Sequence, residues 1–197
     1  MTTDTTINRY VIRRATTPED LRAARAVVLD VAERDLGYGY TPQWHWDLDR
    51  MSETYVDSDR QAMFVAATPP NPDAGPGTVV ATAAIRIGGP NSPPHAEWLA
   101  ARYADRPRVA QLLRVATLPG HRRRGLARRL VAAALDFVRR DGGYRTIYLH
   151  TNARVPGAEA FWRSMPVVEV HDARGDVDEQ DSRFETIHFE LPLDSGL

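Results

Sequence analysis

The chain has 197 residues, enough for one well-buried core, and its net charge of −1 leaves no domain-wide basic surface for nucleic acid. It contains no cysteine, which excludes disulfides, thiolate zinc sites and a cysteine nucleophile. All 25 basic residues are arginine, so Schiff-base and general-base chemistry of lysine is excluded as well.

Membrane insertion and secretion are not expected. No apolar run approaches the roughly 20 residues that a membrane span needs, and the N-terminal stretch MTTDTTINRY lacks a hydrophobic core. We therefore expect a cytoplasmic protein without a membrane partner. The predicted organisation is a flexible N-terminus over residues 1–9 and a single domain over residues 10–192, and the sequence is compatible with a homodimer.

The first predicted elements are a strand and a helix. Residues Tyr10–Ala15 alternate as a strand does, and Thr17 suits the N-cap of a following helix with proline in its first position. Apolar residues at helical spacing extend this helix to about Arg34. Residues 36–50, LGYGYTPQWHWDLDR, lack that period, and we expect an aromatic-rich loop there.

The middle of the chain predicts three more strands. Gln61–Thr68 and Thr78–Ile87 form a predicted hairpin, because the proline and glycine residues between them cannot continue either strand. An excursion with a short helix around Glu97–Ala104 precedes an apolar strand over Arg108–Thr117.

Helices and strands also alternate in the last third of the chain, which predicts an α/β (α+β) domain. Leu126, Leu130, Ala134 and Val138 lie four residues apart, as on one face of a helix. The elements after that helix are a strand over Thr146–Thr151, a short helix over Gly157–Met165, and strands over Val167–His171 and Phe184–Leu191.

The stretch HRRRGLARRL, residues 121–130, joins the strand that ends at Thr117 to the helix after it. A helix N-terminus presents unpaired N–H groups and a partial positive charge, which suits a pyrophosphate. Gly125 lets the backbone approach the anion, and Ala127 keeps the next turn small. The pattern therefore favours an anion cradle over a basic stripe for nucleic acid.

The run RRRGLA, residues 122–127, matches the signature (Q/R)xxGx(G/A), and the chain resembles the GCN5-related N-acetyltransferase (GNAT) family. LLRVATLPG is similar to that family's fourth strand, and NARVPGAEAFWRSMP to the helix after its fifth. YVIRRATTPEDL and HFELPL resemble its first strand with helix and its last strand. The resemblance implies a mixed, mostly antiparallel twisted sheet of about six to seven strands flanked by helices, with a splay between strands four and five.

By that resemblance, acetyl-CoA is the co-substrate and no metal is needed. Its pyrophosphate would lie on the N–H groups of the RRRGLA run, and its pantetheine would pair like an extra strand beside strand four. The implied cofactor-binding residues are Val115, Ala116, Thr117, Arg122, Arg123, Arg124, Gly125, Leu126, Ala127, Asn152 and Trp162. Among the arginines, we expect Arg122 and Arg123 to face phosphate, and Arg128 and Arg129 to lie on a solvated helix face.

Two positions depart from the family pattern. Acetylating an amine requires the neutral nucleophile, so a group must accept the ammonium proton. Family members often use a glutamate on strand four, where this chain has Gln111, and a tyrosine that protonates the departing thiolate, where it has Trp162. An amide is not a base, and an indole N–H does not give up its proton at neutral pH.

His150 is the favoured replacement base, because it ends strand five and titrates near neutrality. A structural role is the alternative. Asp47 is the second candidate catalytic residue, within a group of acids near the first helix that comprises Glu33, Asp35, Asp47 and Asp49. Water or a tyrosine, Tyr144 or Tyr148, could act as the acid. A backbone N–H of Val115 or Thr117 would bind the oxyanion.

The acceptor is expected against the aromatic-rich stretch. Aromatic faces and carboxylates could form a wall for a cationic acceptor, unless the aromatic residues belong to the core. The predicted substrate-binding residues are Tyr38, Tyr40, Trp44, Trp46 and Asp49.

The sequence thus predicts an N-acetyltransferase that moves an acetyl group from acetyl-CoA to the primary amine of a small molecule. A non-catalytic acyl-CoA-binding module is the alternative, because the usual glutamate and tyrosine are missing. Nucleic-acid binding is disfavoured, because a near-neutral charge gives little counterion release.

Overall fold

The computed structural model describes residues 10–70, 77–90, 96–176 and 184–197. Within these ranges, seven strands alternate with five α-helices. The strands are β1 (Val11–Arg14), β2 (Ala62–Ala67), β3 (Val79–Ile87), β4 (Val109–Thr117), β5 (Thr146–Asn152), β6 (Val168–Asp172) and β7 (Thr186–Leu191). The helices are α1 (Pro18–Val31), α2 (Pro42–Asp49), α3 (Glu97–Arg102), α4 (Leu126–Asp141) and α5 (Ala158–Arg163). The predicted flexible N-terminus, residues 1–9, lies outside the described residues.

The strands form one mixed sheet in the order β1-β2-β3-β4-β5-β7-β6. Strands β4 and β5 run parallel and are paired from Val109 opposite Thr146 to Gln111 opposite Tyr148. The other neighbouring strands are antiparallel. Beyond Gln111, β4 continues to Thr117 without pairing to β5, so the two strands splay apart as predicted.

The main core lies between α4 and the sheet. Leu130 and Leu135 of α4 are fully buried in one cluster with Phe64 and Ile85. Burying a leucine stabilises a fold by about 1.5–3 kcal/mol. The predicted apolar stripe of α4 is buried along its whole length.

The opposite face of the sheet is covered in two places. Helix α1 packs Val27 and Val28 against β2 and β3, and α3 contributes Leu99 to a smaller cluster with Tyr148. Because α1 and α3 cover different strands, the centre of this face is left for polar side chains of β3, β4 and β5.

The ends of α1 and α4 follow from local sequence. The Thr17 hydroxyl caps α1 by accepting a hydrogen bond of 3.2 Å from the Asp20 N–H, with Pro18 in the first position, as predicted. Helix α1 continues into a π-helical turn, Ala32–Leu36, and Gly142 ends α4 with φ of 70°.

The prediction of a loop over residues 36–50 is wrong for α2. This helix has no side-chain cap and no regular apolar stripe, which is why its sequence did not indicate a helix. Tertiary contacts hold it instead, since His45, Asp47 and Leu48 are buried. No helix in the described part of the chain is both long and apolar enough to cross a membrane.

Candidate active site

A cavity of about 670 Å³ lies where β4 and β5 separate. It is lined along β4 by residues 111–117, at the start of α4 by residues 125–128, and along β5 by residues 150–152. One end, the turn end, comprises residues 122–127. The other, the buried-charge end, comprises Arg86, Gln111 and Arg114 with the side chains that contact them. Thr117, which leads into the turn end, lies six positions after Gln111 on β4, a separation of roughly 20 Å along an extended strand.

The turn end is shaped by its backbone. Arg123 and Gly125 both have left-handed conformations, with φ of 58° and 72°. Within the described ranges, no side chain caps the N-terminus of α4, so its first N–H groups are available to an anion. A Cβ at Gly125 would meet no atom within 4 Å, which leaves open space over the turn. Successive N–H groups around left-handed residues form an anion-binding concavity.

Arg122 and Arg123, which we expected to face phosphate, lie in different environments. Arg122 donates to Asp35 at 2.6 Å and to the Thr117 carbonyl at 3.0 Å, so its guanidinium ties the turn to the end of α1. Arg123 is exposed, as Arg124 is, and neither side chain has a hydrogen-bond or ion-pair partner in the part of the chain that the structure covers. Both guanidinium groups therefore remain available to phosphate.

The expectation of a solvated helix face is met by the exposed Arg128 and is wrong for Arg129. Arg128 is exposed but donates to the carbonyl and hydroxyl of Ser164, which links α4 to the end of α5. Arg129 is half-buried and donates to the Tyr10 carbonyl at 3.0 Å. These two side chains hold α4 against its neighbours.

The open edge of β4 contains a bulge. Residue Arg114 has φ of 56°, and the β3–β4 register shifts beside it, between Thr82 and Ala84. The Thr82 hydroxyl donates to the Arg114 carbonyl at 2.7 Å and fixes the bulge. The predicted pantetheine-contacting residues Val115, Ala116 and Thr117 follow directly and line the cavity.

Two further predicted cofactor residues also line the cavity. The Asn152 Oδ1 accepts backbone N–H groups of Arg154 at 3.1 Å and Glu185 at 3.0 Å, which holds the turn after β5 against the start of β7. Trp162 is buried in the main core, with its ring edge-to-face against Phe161.

His150 lines the cavity and contacts a second histidine through a tyrosine. The Tyr148 hydroxyl lies 3.3 Å from His150 Nδ1 and 2.8 Å from His188 Nδ1. One hydroxyl carries one proton, so it donates to one ring and accepts from the other. Burial raises the pKa of Tyr148 above its ordinary value, which keeps the hydroxyl protonated. Tyr144, the other predicted acid, does not line the cavity; it donates to the Arg60 carbonyl, and burial raises its pKa to about 12.

The acids of the aromatic-rich stretch are already paired. Asp47 is fully buried and bound by Arg114 through Nε at 3.1 Å and through a terminal nitrogen at 2.5 Å. The Tyr55 hydroxyl donates to it at 2.6 Å, and Arg86 lies 3.7 Å away. Burial alone would raise the pKa of Asp47, but the hydrogen bonds and charge of Arg114 outweigh it and lower this pKa. Asp47 therefore neutralises arginine and does not present a free carboxylate to an ammonium.

Only some of the predicted substrate-binding residues lie at the cavity. Tyr38, Trp44 and Trp46 line the cavity, whereas Tyr40 and Asp49 do not. The Tyr40 hydroxyl donates to Asp49, which also pairs with Arg25 at 3.4 Å on the outer surface.

Tyr38 and Trp44 form an aromatic triangle with Phe184. The ring centroids of Tyr38 and Trp44 are 5.0 Å apart, and those of Trp44 and Phe184 are 5.5 Å apart. Phe184 precedes β7, so the triangle connects the α2 side of the cavity to the β7 side.

Arg86, Arg114 and His45 are the residues of this site that sequence reasoning missed. Arg86 and Arg114 each interrupt an apolar strand, in TAAIRI and QLLRVAT, and a charge within a buried strand was the available signal. His45 accepts the Thr41 N–H at its Nδ1, at 2.9 Å, inside α2. Burial and the charge of Arg114 lower the pKa of His45. In the described ranges, no group of three or more histidine and acidic side chains is arranged to hold a metal ion.

A sheet that splays between two parallel strands, with an uncapped helix N-terminus beyond the splay, is the arrangement that the resemblance to the GNAT family implied. The model of the acetyltransferase (GNAT) family matches residues 26–165. The chain belongs to this family, and it is an acyltransferase, as the motif predicted. Acyl transfer from acyl-CoA follows from that membership.

Solved structures agree with the fold. A GNAT-family acetyltransferase from Staphylococcus aureus Mu50 superposes with a TM-score of 0.66 at 14% identity, covering 93% of this chain and 99% of that one. The ribosomal-protein-S18-alanine N-acetyltransferase from Escherichia coli gives 0.61 at 19% identity, covering 95% and 96%. FeeM, an N-acyl amino acid synthase from uncultured soil microbes, gives 0.65 at 16% identity, covering 94% and 91%. A search of curated proteins found no significant match.

Proposed function

We propose that the protein transfers an acetyl group from acetyl-CoA to the primary amine of a small molecule. The observation that carries this proposal is one continuous cavity with an anion-binding turn at one end and a histidine within it. The cofactor's pyrophosphate would lie on residues 122–127, with Arg123 and Arg124 near its phosphates. Its pantetheine would extend along Val115, Ala116 and Thr117 toward the buried-charge end.

His150 is the proposed general base. Its Nδ1 faces Tyr148, so Nε2 is the atom that would take the proton of the amine. The amine nitrogen then attacks the thioester carbon and the C–N bond forms. The C–S bond breaks to release the CoA thiolate, and the second proton of the attacking nitrogen passes through water to that thiolate. A backbone N–H of Val115 or Thr117 would hold the oxyanion. A thiolate with a pKa of about 8.5 leaves without strong acid assistance, which fits the absence of a tyrosine at Trp162.

A small acceptor is proposed rather than a protein chain. The triangle of Tyr38, Trp44 and Phe184 connects the α2 side of the cavity to the β7 side, which supports a ligand enclosed between the two. The aromatic faces would pack on the apolar part of the acceptor.

The proposal is tested by mixing the protein with acetyl-CoA and a panel of small amines and following the release of free thiol. We expect amine-dependent thiol release and a mass increase of one acetyl group on the amine. Tight binding of acetyl-CoA without turnover on any amine would instead support a non-catalytic acyl-CoA-binding module, the alternative that Gln111 and Trp162 suggest. Peptides with a free N-terminal amine serve as the comparison for a protein acceptor.

A further inference from the structure

The buried-charge end holds more positive than negative charge. Arg86 and Arg114 both line the cavity. Among the described residues, Asp47 is the one carboxylate within ion-pair distance of either. Arg114 uses both oxygens of Asp47, and Tyr55 donates to one of them. Asp47 is therefore satisfied by Arg114, and the charge of Arg86 is left largely uncompensated.

Arg86 makes weak contacts for a buried arginine. It is only 7% exposed, its hydrogen bond goes to the neutral Oε1 of Gln111 at 3.0 Å, and its separation from Asp47 is a long 3.7 Å. Its Nε is buried and has no hydrogen-bond partner in the part of the chain that the structure describes. The Trp46 ring stacks on the guanidinium, with its centroid 4.8 Å away. An arginine fork held flat on an aromatic ring is suited to binding a planar carboxylate.

The position of Arg86 relative to His150 limits the size of the ligand. Arg86 is paired with Gln111, and Gln111 with Tyr148, so these three residues form a row across β3, β4 and β5. His150 lies two residues beyond Tyr148 on the same face of β5. Strands β3 and β5 lie on either side of β4, so two strand spacings, about 10 Å, separate them at the row of Arg86, Gln111 and Tyr148. Two long side chains and a small amino carboxylate together bridge such a span.

We infer that the acceptor is an amino carboxylate, of the α-amino acid class, whose carboxylate binds Arg86 while its amine faces His150. This inference rests on the proposed function and specifies its acceptor. The carboxylate takes no part in bond making, and its role is to hold the amine toward the thioester. A cationic acceptor without a carboxylate, which the aromatic and acidic stretch suggested, would meet the excess positive charge of two arginines.

The first test compares matched acceptors on the wild-type protein. Phenylalanine, phenylalanine amide and phenethylamine share one apolar group and differ in the carboxylate, and methionine with its amide forms a second pair. With saturating acetyl-CoA, we expect kcat/KM for each amino acid to exceed that of its amide by at least tenfold. The less basic amine of the amide is more often neutral, so this comparison is biased against the expected result. Equal or better turnover of amides and phenethylamine would overturn the inference while leaving the proposed function intact.

The second test concerns Arg86 itself. Arg86→Gln should lower kcat/KM for phenylalanine at least tenfold more than for phenylalanine amide. Arg86→Lys keeps the charge but lacks the fork, and its effect should be intermediate. Arg102→Gln is the matched control, because Arg102 is half exposed and pairs with Glu190 away from the cavity. Equal losses for acid and amide would show a merely structural role and overturn the inference. If Arg86→Gln does not fold, Arg86→Lys supplies the same comparison.

A binding measurement separates this inference from the proposed function. Calorimetry on the CoA-saturated wild-type protein reads the carboxylate site without turnover. We expect phenylalanine to bind at least tenfold more tightly than its amide, even if no amine is acetylated and the proposed function fails. Binding of neither compound, or equal binding of both, would overturn the inference.

Discussion

The two ends of the cavity are built from different kinds of groups. The turn end is formed by the backbone of six consecutive residues, in which Arg123 and Gly125 have left-handed conformations with φ of 58° and 72°. The buried-charge end depends on side chains, with Asp47 and Arg114 lying 67 residues apart in the chain. A backbone site tolerates many side chains and leaves a short pattern in the sequence. A side-chain site leaves only isolated signals, such as a charge within an apolar strand, and its pairing is visible only in the folded chain.

Substitution of Gly125 is the strongest test of the difference between the two ends of the cavity. Gly125→Asp places a strained left-handed residue and a negative charge where the proposed pyrophosphate lies, so we expect acetyl-CoA binding to be lost. Gly142→Asp is the matched control, since Gly142 has φ of 70° and equally open surroundings at the other end of α4. Calorimetry on folded variants checks this, and equal cofactor affinity in both would contradict the role of the turn end.

At the buried-charge end, the same comparison predicts a loss of stability. Asp47→Asn leaves two buried arginines without a counter-charge, and breaking such a pair costs about 3–5 kcal/mol. Asp49→Asn, a surface control whose carboxylate is 41% exposed, should cost less than about 1 kcal/mol. Urea unfolding of the two variants gives the difference, and similar free energies of unfolding would show that the buried charges are not coupled as described.

Substitution of His150 tests whether the general base lies within the cavity. A positioned general base is typically worth about 10²- to 10⁴-fold, so His150→Gln should lower kcat at pH 7 by at least tenfold and leave acetyl-CoA affinity unchanged. The pH–rate profile should also lose its acidic limb. Arg102→Gln, a half-exposed position outside the cavity, is the control. If His150→Gln keeps wild-type rates across pH 6 to 9, the general base is water or a carboxylate and not His150.

The aromatic triangle is expected to affect only the acceptor. Trp44→Ala removes one ring of the triangle. We expect the acceptor KM to rise about two- to tenfold with an unchanged acetyl-CoA Kd, as loss of one aromatic contact of about 0.5–1.5 kcal/mol implies. Trp98→Ala, an exposed tryptophan on α3, should have no effect. An effect of Trp98 but not of Trp44 would place the acceptor against the α3 excursion.

The smallest effect is a pH dependence of stability from His45. Its pKa is lowered in the folded protein, so the unfolded chain binds the proton first as pH falls. The stability that neutral His45 contributes is complete above the unfolded pKa of about 6.5 and is lost as pH falls toward the folded value. Tm should therefore fall more between pH 8 and pH 5.5 for the wild type than for His45→Gln. Parallel curves would mean that His45 does not titrate on unfolding.

The sequence predicted the strand–turn–helix order around RRRGLA and the sheet well, because both depend on local signals. Thr17 capped the first helix, the apolar stripe identified α4, and RRRGLA indicated the family before any contact was known. The buried-charge end could not be predicted in the same way. Asp47 was assigned to an acidic wall because nothing near it in the sequence shows that Arg114 neutralises it. Phe184 lies just before β7 and Arg86 lies on β3, and only the folded sheet brings them to Trp44 and Trp46 respectively.

Arg114 has a consequence for how the two ligands depend on each other. Its left-handed backbone sets the path of the open β4 edge, and its guanidinium anchors Asp47 beneath the aromatic stretch. A displacement of the backbone at the β4 edge or of the side chains at the buried-charge end would therefore move Arg114. Thermodynamic linkage requires such an effect to be reciprocal. If the acceptor changes the affinity for acetyl-CoA by some factor, acetyl-CoA changes the affinity for the acceptor by the same factor. We expect Arg114 to carry any such coupling, since its backbone shapes the open β4 edge and its side chain binds Asp47 at the buried-charge end.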